Sequence, residues 1–269
     1  MAGASLACPA FADAWTQRQG HALWIIKGLY SDSGKYFDDR HHRDDFDFGG
    51  KSRQEQLNLY LEYGVTDRLT FVGNFYASRF GYRNAFNDQT RSGFSDQEIG
   101  LRYGLDPDQD GPWVGALQTL AVFPGYGDHD DSSKPVLGLG GHGLELRYSV
   151  GRGYALGTHS GYVDMGAAIR LRTGDAADEA RATISSGVAL TPKWMAIGEL
   201  NLIQGLGNGK GPNNVEQLNT ADYDLTKVQL SALYIARSGM QLQLGWQQPV
   251  LGRNTGAGGG PLAALWWRY

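Results

Sequence analysis

The sequence predicts an all-β protein: a transmembrane, antiparallel, up-and-down β-barrel of about 12 strands. Three observations carry this reading. Segments of roughly ten residues alternate apolar and polar side chains, the period of a strand with two different faces. The connections between them alternate in length, long after one strand and short after the next. The final stretch, residues 261–269, is an apolar strand ending on the aromatic Tyr269. Such a strand closes a barrel by pairing with the first and so removes both free edges.

Composition is consistent with one domain. The chain has 269 residues, 39 of them glycine, with 12% aromatic and 41% hydrophobic content. A formal net charge of −4 provides no basic field for nucleic acid. No run of about 18 apolar residues occurs, so no transmembrane helix is expected. Barrel strands average out polar and escape that test. Cys8 is the only cysteine, which excludes a disulfide framework and a cysteine metal site. Residues 1–14 end in Ala12-Asp13-Ala14, an A-x-A cleavage pattern. They read as the remnant of a signal peptide whose charged start is missing, with residues 15–269 a single barrel domain beginning at Trp15. A lipid anchor on Cys8 is disfavoured by Ser5, which stands where an aliphatic residue is usual.

The first strand covers residues 22–31. Trp24, Ile26, Gly28 and Tyr30 share one face and Leu23, Ile25, Lys27 and Leu29 the other, so its phase stays open. A polar loop fills 32–52. Residues 53–65 set Leu57, Leu59, Leu61, Tyr63 and Val65 against Asn58, Tyr60, Glu62 and Gly64. The tight turn 66–68 leads to the third strand, 69–79, and makes a hairpin. A polar loop is expected over 80–93. Residues 95–105 set Ile99, Leu101, Tyr103 and Leu105 against Glu98, Gly100, Arg102 and Gly104. After the Asp/Pro/Gly turn 106–112, residues 113–123 form a strand of poor phase. A Gly/Asp loop, 124–143, precedes the sixth strand at 144–151. A connection, 152–160, leads to the seventh at 161–172. The eighth and ninth, 180–190 and 194–203, flank the turn 191–193. A long loop, 204–224, precedes strands at 225–236 and 240–247, and the loop 249–260 leads to the twelfth.

An even strand count and alternating loop lengths are the marks of an outer-membrane barrel, with short periplasmic turns and long outer loops. A soluble sandwich also alternates along its strands, but it has no reason to alternate loop lengths through the whole chain. The expected surroundings are outer-membrane lipid and lipopolysaccharide of a Gram-negative bacterium.

The apolar faces then meet lipid. Tyr63, Tyr103, Tyr148, Trp194, Trp246, Trp267 and Tyr269 lie near strand ends, as an interfacial girdle requires. The opposite faces put Tyr60, Glu62, Tyr76, Glu98, Arg102, Glu145, Arg147, Tyr162, Asp164, Arg170, Arg172, Arg181, Glu199, Lys227, Trp266 and Arg268 towards the lumen. Two readings follow: a mutually paired network that plugs a small barrel, or a polar conduit for a hydrophilic solute. Side chains fill barrels of about 8 strands and 16–18 leave an aqueous channel, so about twelve decides neither. Tyr60, Tyr76, Tyr162 and Trp266, beside carboxylates and guanidiniums, suit sugar rings or simply fill space.

No catalytic residue, cofactor or metal is assigned. The run Asp38-Asp39-Arg40-His41-His42-Arg43-Asp44-Asp45 mixes both signs and reads as a flexible solvated loop rather than a transition-metal site. Asp128, Asp130 and Asp131 suit only loose Ca²⁺ or Mg²⁺ binding against lipid phosphates. A lipase needs Ser and His together on the lipid face. Ser186 faces lipid but has no histidine near it, since His159 falls in a periplasmic turn. No glycine loop precedes a helix to cradle phosphate.

Several segments carry a family resemblance. They are Ala14-Trp15-Thr16-Gln17, the first turn from Leu61 to Thr70, the entry to the fourth strand from Gly93 to Arg102, Arg170-Leu171-Arg172-Thr173-Gly174-Asp175, Lys227-Val228-Gln229-Leu230-Ser231 and Gly252-Arg253-Asn254. In their order along the chain they resemble the XagA-like outer-membrane proteins of proteobacteria, over essentially the whole mature chain. The first-turn and fourth-strand segments are also similar to the barrels linked to aromatic-degradation operons. The XagA-like resemblance implies a porin-like barrel for exopolysaccharide secretion, with a glycan as cargo and periplasmic or inner-membrane glycan-synthesis proteins as partners. Porin-like uptake of small, aromatic solutes and a non-transporting surface protein that binds partners through its loops are the alternatives.

Overall fold

A computed structural model describes residues 13–106, 111–127, 135–215 and 219–269. Most of the stretch read as signal-peptide remnant, Cys8 included, lies outside the described residues, as do Asp128, Asp130 and Asp131. The chain forms one closed antiparallel barrel of 12 strands. They are β1 (Ala22–Ser33), β2 (Lys51–Thr66), β3 (Leu69–Arg83), β4 (Asp96–Gly104), β5 (Val114–Pro124), β6 (Gly143–Leu156), β7 (His159–Arg172), β8 (Glu179–Thr191), β9 (Trp194–Gly205), β10 (Asp224–Ile235), β11 (Gln241–Arg253) and β12 (Gly260–Arg268). Each pairs with its sequence neighbour, and β12 pairs with β1 from Leu23 opposite Arg268 to Leu29 opposite Leu262. The seam continues to the last residue, where the Ala22 and Tyr269 amides exchange hydrogen bonds at 3.0 and 3.2 Å. Within the barrel wall each of the 12 strands is thus paired on both sides.

Two of the short turns are built alike. Thr66 Oγ1 accepts from the amides of Arg68 and Leu69, and Thr191 Oγ1 accepts from those of Lys193 and Trp194. A threonine hydroxyl two and three residues before the amides it caps is a local turn device, which is why these hairpins are visible in the sequence.

Three connections differ from the sequence reading. Residues 80–93 are not simply a loop: β3 runs on to Arg83, and Asp88–Phe94 pairs back along it from Arg83 opposite Asp88 to Ala77 opposite Phe94. The run breaks before β4, where the Gln97 side chain replaces a backbone partner by bonding both the amide and the carbonyl of Tyr76. The connection 152–160 shrinks to Gly157 and Thr158, with Gly157 in the left-handed region (φ 61°) that glycine accepts without a Cβ clash. The His/Asp loop is ordered rather than flexible. Lys35–Phe37 pairs with Arg43–Asp45 and with Thr255–Gly256, and the Asp38 carboxylate binds the Arg40 and His42 amides. These extensions lack apolar alternation because they project beyond the hydrocarbon, where neither face meets lipid.

The exterior is apolar. Leu57, Leu101, Leu146, Ile169, Leu230 and Leu244 are all exposed on outward faces. Aromatics cluster with basic side chains at the short-turn end: Arg68 lies 4.7 Å over Tyr103, and Trp194 meets Tyr234 at 5.0 Å. Amphipathic rings beside basic heads belong at the headgroup level.

Strands β1 and β12 meet the N-terminal segment at the short-turn side, and the sequence reading puts the long loops at the cell exterior. Single cysteines at Asp44 or Lys210 should therefore react with a membrane-impermeant maleimide on intact cells, and one at Asp67 only after lysis. Labelling of Asp67 from outside would reverse the orientation.

Candidate functional site

The inward faces divide the lumen into two walls. On β2 to β8 the wall is charged and mutually paired. Arg102 bonds Glu62 at 2.6 Å and Gln118 at 2.9 Å. Glu145 accepts from Arg147 at 3.0 Å, Arg170 at 2.9 Å and Arg181 at 3.3 Å. Arg170 also reaches Glu98 at 2.5 Å, and Glu179 holds Arg172 and Arg181 at 3.0 and 2.7 Å. Polar neighbours extend the network: Tyr60 donates to Glu62, while Asn74 donates to Glu98 and to the Tyr76 hydroxyl. Each carboxylate thus meets cations or hydrogen-bond donors, the condition for keeping charge away from bulk water.

The opposite wall is apolar at the short-turn end. Leu23, Ile25, Ile197, Leu233, Ala264 and Trp266 form one buried cluster, with Tyr60 and Met195 packed against it. Leu23 and Ile25 settle the phase of β1: they turn inward with Lys27, and Ile26 and Tyr30 face lipid. Trp266 is fully buried here, so it offers no open face to a sugar ring. Tyr162 is likewise enclosed, its hydroxyl 3.0 Å from Ser185. Trp266→Ala should cost about 3–5 kcal/mol, the range for removing a buried tryptophan. A shift in the temperature at which the protein changes gel mobility would read it out, and an unchanged transition would show that the cluster adds nothing.

The segment before β1 enters the lumen from the short-turn side. Gly20 donates to the Gly64 carbonyl, Gln19 to the Asp67 carboxylate and Gln17 to Thr70 Oγ1. The Gln17 side chain bonds Glu62, and the Trp15 carbonyl accepts from Arg102 at 3.1 Å. At its inner end Asp13 pairs with Arg102 at 2.9 Å and faces Arg147 at 3.6 Å. Glycines on two inward faces make the room. A Cβ at Gly64 would overlap the Arg18 carbonyl, and one at Gly151 would overlap the Trp15 ring.

Beside this segment lie two adjoining cavities of about 310 and about 440 Å³. Both are lined by Asp13, Lys27, Tyr60, Tyr76, Arg147, Arg181 and Asn201. The smaller one is bounded by Glu199, Lys227 and Gln229, with Gln229 donating to Glu199. The larger opens towards Phe80, Leu137 and Tyr223 under the outer loops. There Tyr126 and residues 137–140 meet the mouth: Leu139 donates to Asp96 at 3.2 Å, and Tyr126 takes the Gly140 amide while donating to Asp96. Burial, with the Asp96 carboxylate second, pushes the Tyr126 phenol above its ordinary pKa.

Of the residues assigned inward from sequence, Tyr60, Tyr76, Glu98, Glu145, Arg147, Arg170, Arg172, Arg181, Glu199 and Lys227 line the cavities. Glu62, Arg102 and Asp164 are buried around the N-terminal segment. Arg268 is half-buried on the Trp266 face. Sequence reasoning missed Asp13, Lys27, Asn201 and Tyr223. Lys27 had a signal, as the single charge in residues 22–30. Three of the histidines have separate partners: His41 bonds the Gly252 carbonyl, His42 lies 3.5 Å from Asp38 and His159 bonds the Ala189 carbonyl. Among the described residues no group of three ligand side chains is arranged for a metal ion.

No family model and no curated protein matches the chain. Solved structures do. An outer-membrane channel from Pseudomonas putida F1 matches with a TM-score of 0.67 and 15% identity, over 96% of this chain and 98% of that one. The fold is that of the bacterial outer-membrane β-barrels. The NanC porin matches more loosely, with a TM-score of 0.51 and 7% identity over 90% of this chain and 97% of that one. At these identities the likeness is one of fold. Together with the apolar exterior, it places this barrel in a bacterial outer membrane.

Proposed function

We propose that this barrel is an outer-membrane channel for small polar solutes, held closed in this conformation by its own residues 13–20. The observation that carries the reading is the pair of adjoining cavities within a closed barrel, both bounded by Asp13 of that segment. Their volumes lie at the lower end of small-molecule sites, about 300–1,000 Å³. Charged and amide side chains in the linings supply hydrogen bonds, while Tyr60 and Tyr76 supply faces for a ring. Exopolysaccharide export, which the XagA-like resemblance implies, requires a continuous path for a polymer and so requires the segment to leave. Uptake of small ring-bearing solutes needs less displacement and fits the cavities better.

Purified protein in planar bilayers and in liposome-swelling assays tests the proposal. Small, infrequent conductance steps and swelling that falls steeply with solute size are expected. A barrel that passes no ion and no solute, with or without residues 13–20, would defeat it.

A further inference from the structure

We infer that the mature chain begins at Asp13 and that its α-ammonium group seats on the buried Asp164 carboxylate. Asp164 sits on the inner face of β7 and is 2% exposed. It accepts the Ala14 amide at 2.9 Å, which sets the Asp13 backbone one residue away beside it. Among the described residues no lysine or arginine pairs with it; Arg102 is engaged by Glu62 and by the Asp13 side chain. The carboxylate therefore meets backbone amides and, close by, a second carboxylate. A buried charge in that setting lacks the compensation it needs. A positive charge on the Asp13 nitrogen, one residue before the amide that Asp164 already holds, supplies it.

The sequence offers the cut. Ala10-Phe11-Ala12 is an A-x-A pattern directly before Asp13, two residues upstream of the Ala12-Asp13-Ala14 pattern. A signal peptidase acting there hydrolyses the Ala12–Asp13 peptide bond. Water supplies the second carboxylate oxygen of Ala12, and its protons leave the Asp13 nitrogen as an ammonium. Cleavage after Ala14 would instead discard Asp13, the partner of Arg102 and Arg147, and Ala14, which is 1% exposed. The contacts of the folded barrel thus select one of two overlapping cleavage patterns.

The test is N-terminal sequencing and intact mass of protein purified from outer membranes, followed by labelling of the α-amine with an acylating reagent. The expected start is Asp-Ala-Trp-Thr; a start at Trp15 or upstream of Asp13 overturns the inference. In the folded barrel, labelling of the α-amine should be slowed by about tenfold or more relative to the unfolded chain, the protection of a buried site. Asp164→Asn should restore fast labelling without moving the cleavage point. Fast labelling in the wild type, or continued protection in the folded variant, overturns the Asp164 contact. Should the variant not fold, the wild-type sequence and labelling rate still decide. None of these readouts depends on solute transport.

Discussion

A barrel lacking residues 13–20 should conduct several-fold more current than the wild type, in longer-lived open states. The segment occupies the short-turn end of the lumen, and its Asp13 lines both cavities. Its removal takes the Asp13 carboxylate and the Trp15 carbonyl from Arg102 and Asp13 from Arg147, yet Arg102 keeps Glu62 and Arg147 keeps Glu145. The wall should therefore stay folded while the path widens, in the direction of the open lumens of larger barrels. Exposed charges on the freed wall should also make ion selectivity depend on salt concentration. Single-channel recording on protein that retains heat-modifiable gel migration checks this. Equal conductance with and without the segment would show that residues 137–140 with Tyr126, or the side-chain network itself, close the lumen.

Glu145→Ala should destabilise the barrel by roughly 3–5 kcal/mol, the cost of stranding partners of a buried ion pair. Glu145 is fully buried and accepts from three arginines on three strands. Its loss leaves Arg147 with Asp13, Arg170 with Glu98 and Arg181 with Glu179, and a local excess of positive charge. Glu145→Gln, which keeps the shape and one acceptor, should cost less. The rim pair Lys35–Asp45 is as close, at 2.8 Å, but exposed; Lys35→Ala should cost under about 1 kcal/mol, as surface pairs do. Urea unfolding in detergent, followed by tryptophan fluorescence, measures all three. Equal midpoints for Glu145→Ala and Lys35→Ala would remove the network from any account of stability.

Paired charge and open space occupy different parts of the lumen. The guanidiniums on β4, β6, β7 and β8 are mutually paired with carboxylates, as a plug requires. Lys27, Asn201, Lys227 and Gln229 line space that remains. The expectation of a uniformly polar interior fails at β1, β9, β10 and β12, whose inward Leu23, Ile197, Leu233 and Trp266 pack on one another. Strand β1 is apolar on both faces for that reason, which is why alternation did not give its phase.

The sequence by itself determined what is local or repeats along the chain. Alternation at period two set the strands and most of their faces, because neighbouring side chains on a strand must point opposite ways. Threonine-capped turns set the tight hairpins. Only the closed barrel decided which inward groups meet. Asp13 and Arg102, or Glu98 and Arg170, touch across separations in sequence that no periodicity encodes. Their contact depends on the register of every strand between them, since each pairing offset shifts the height at which a side chain enters the lumen. The path of residues 13–20 is of the same kind. Nothing in Trp-Thr-Gln-Arg names a lumen, but Gly64 and Gly151 leave a groove once their strands are bent into one wall.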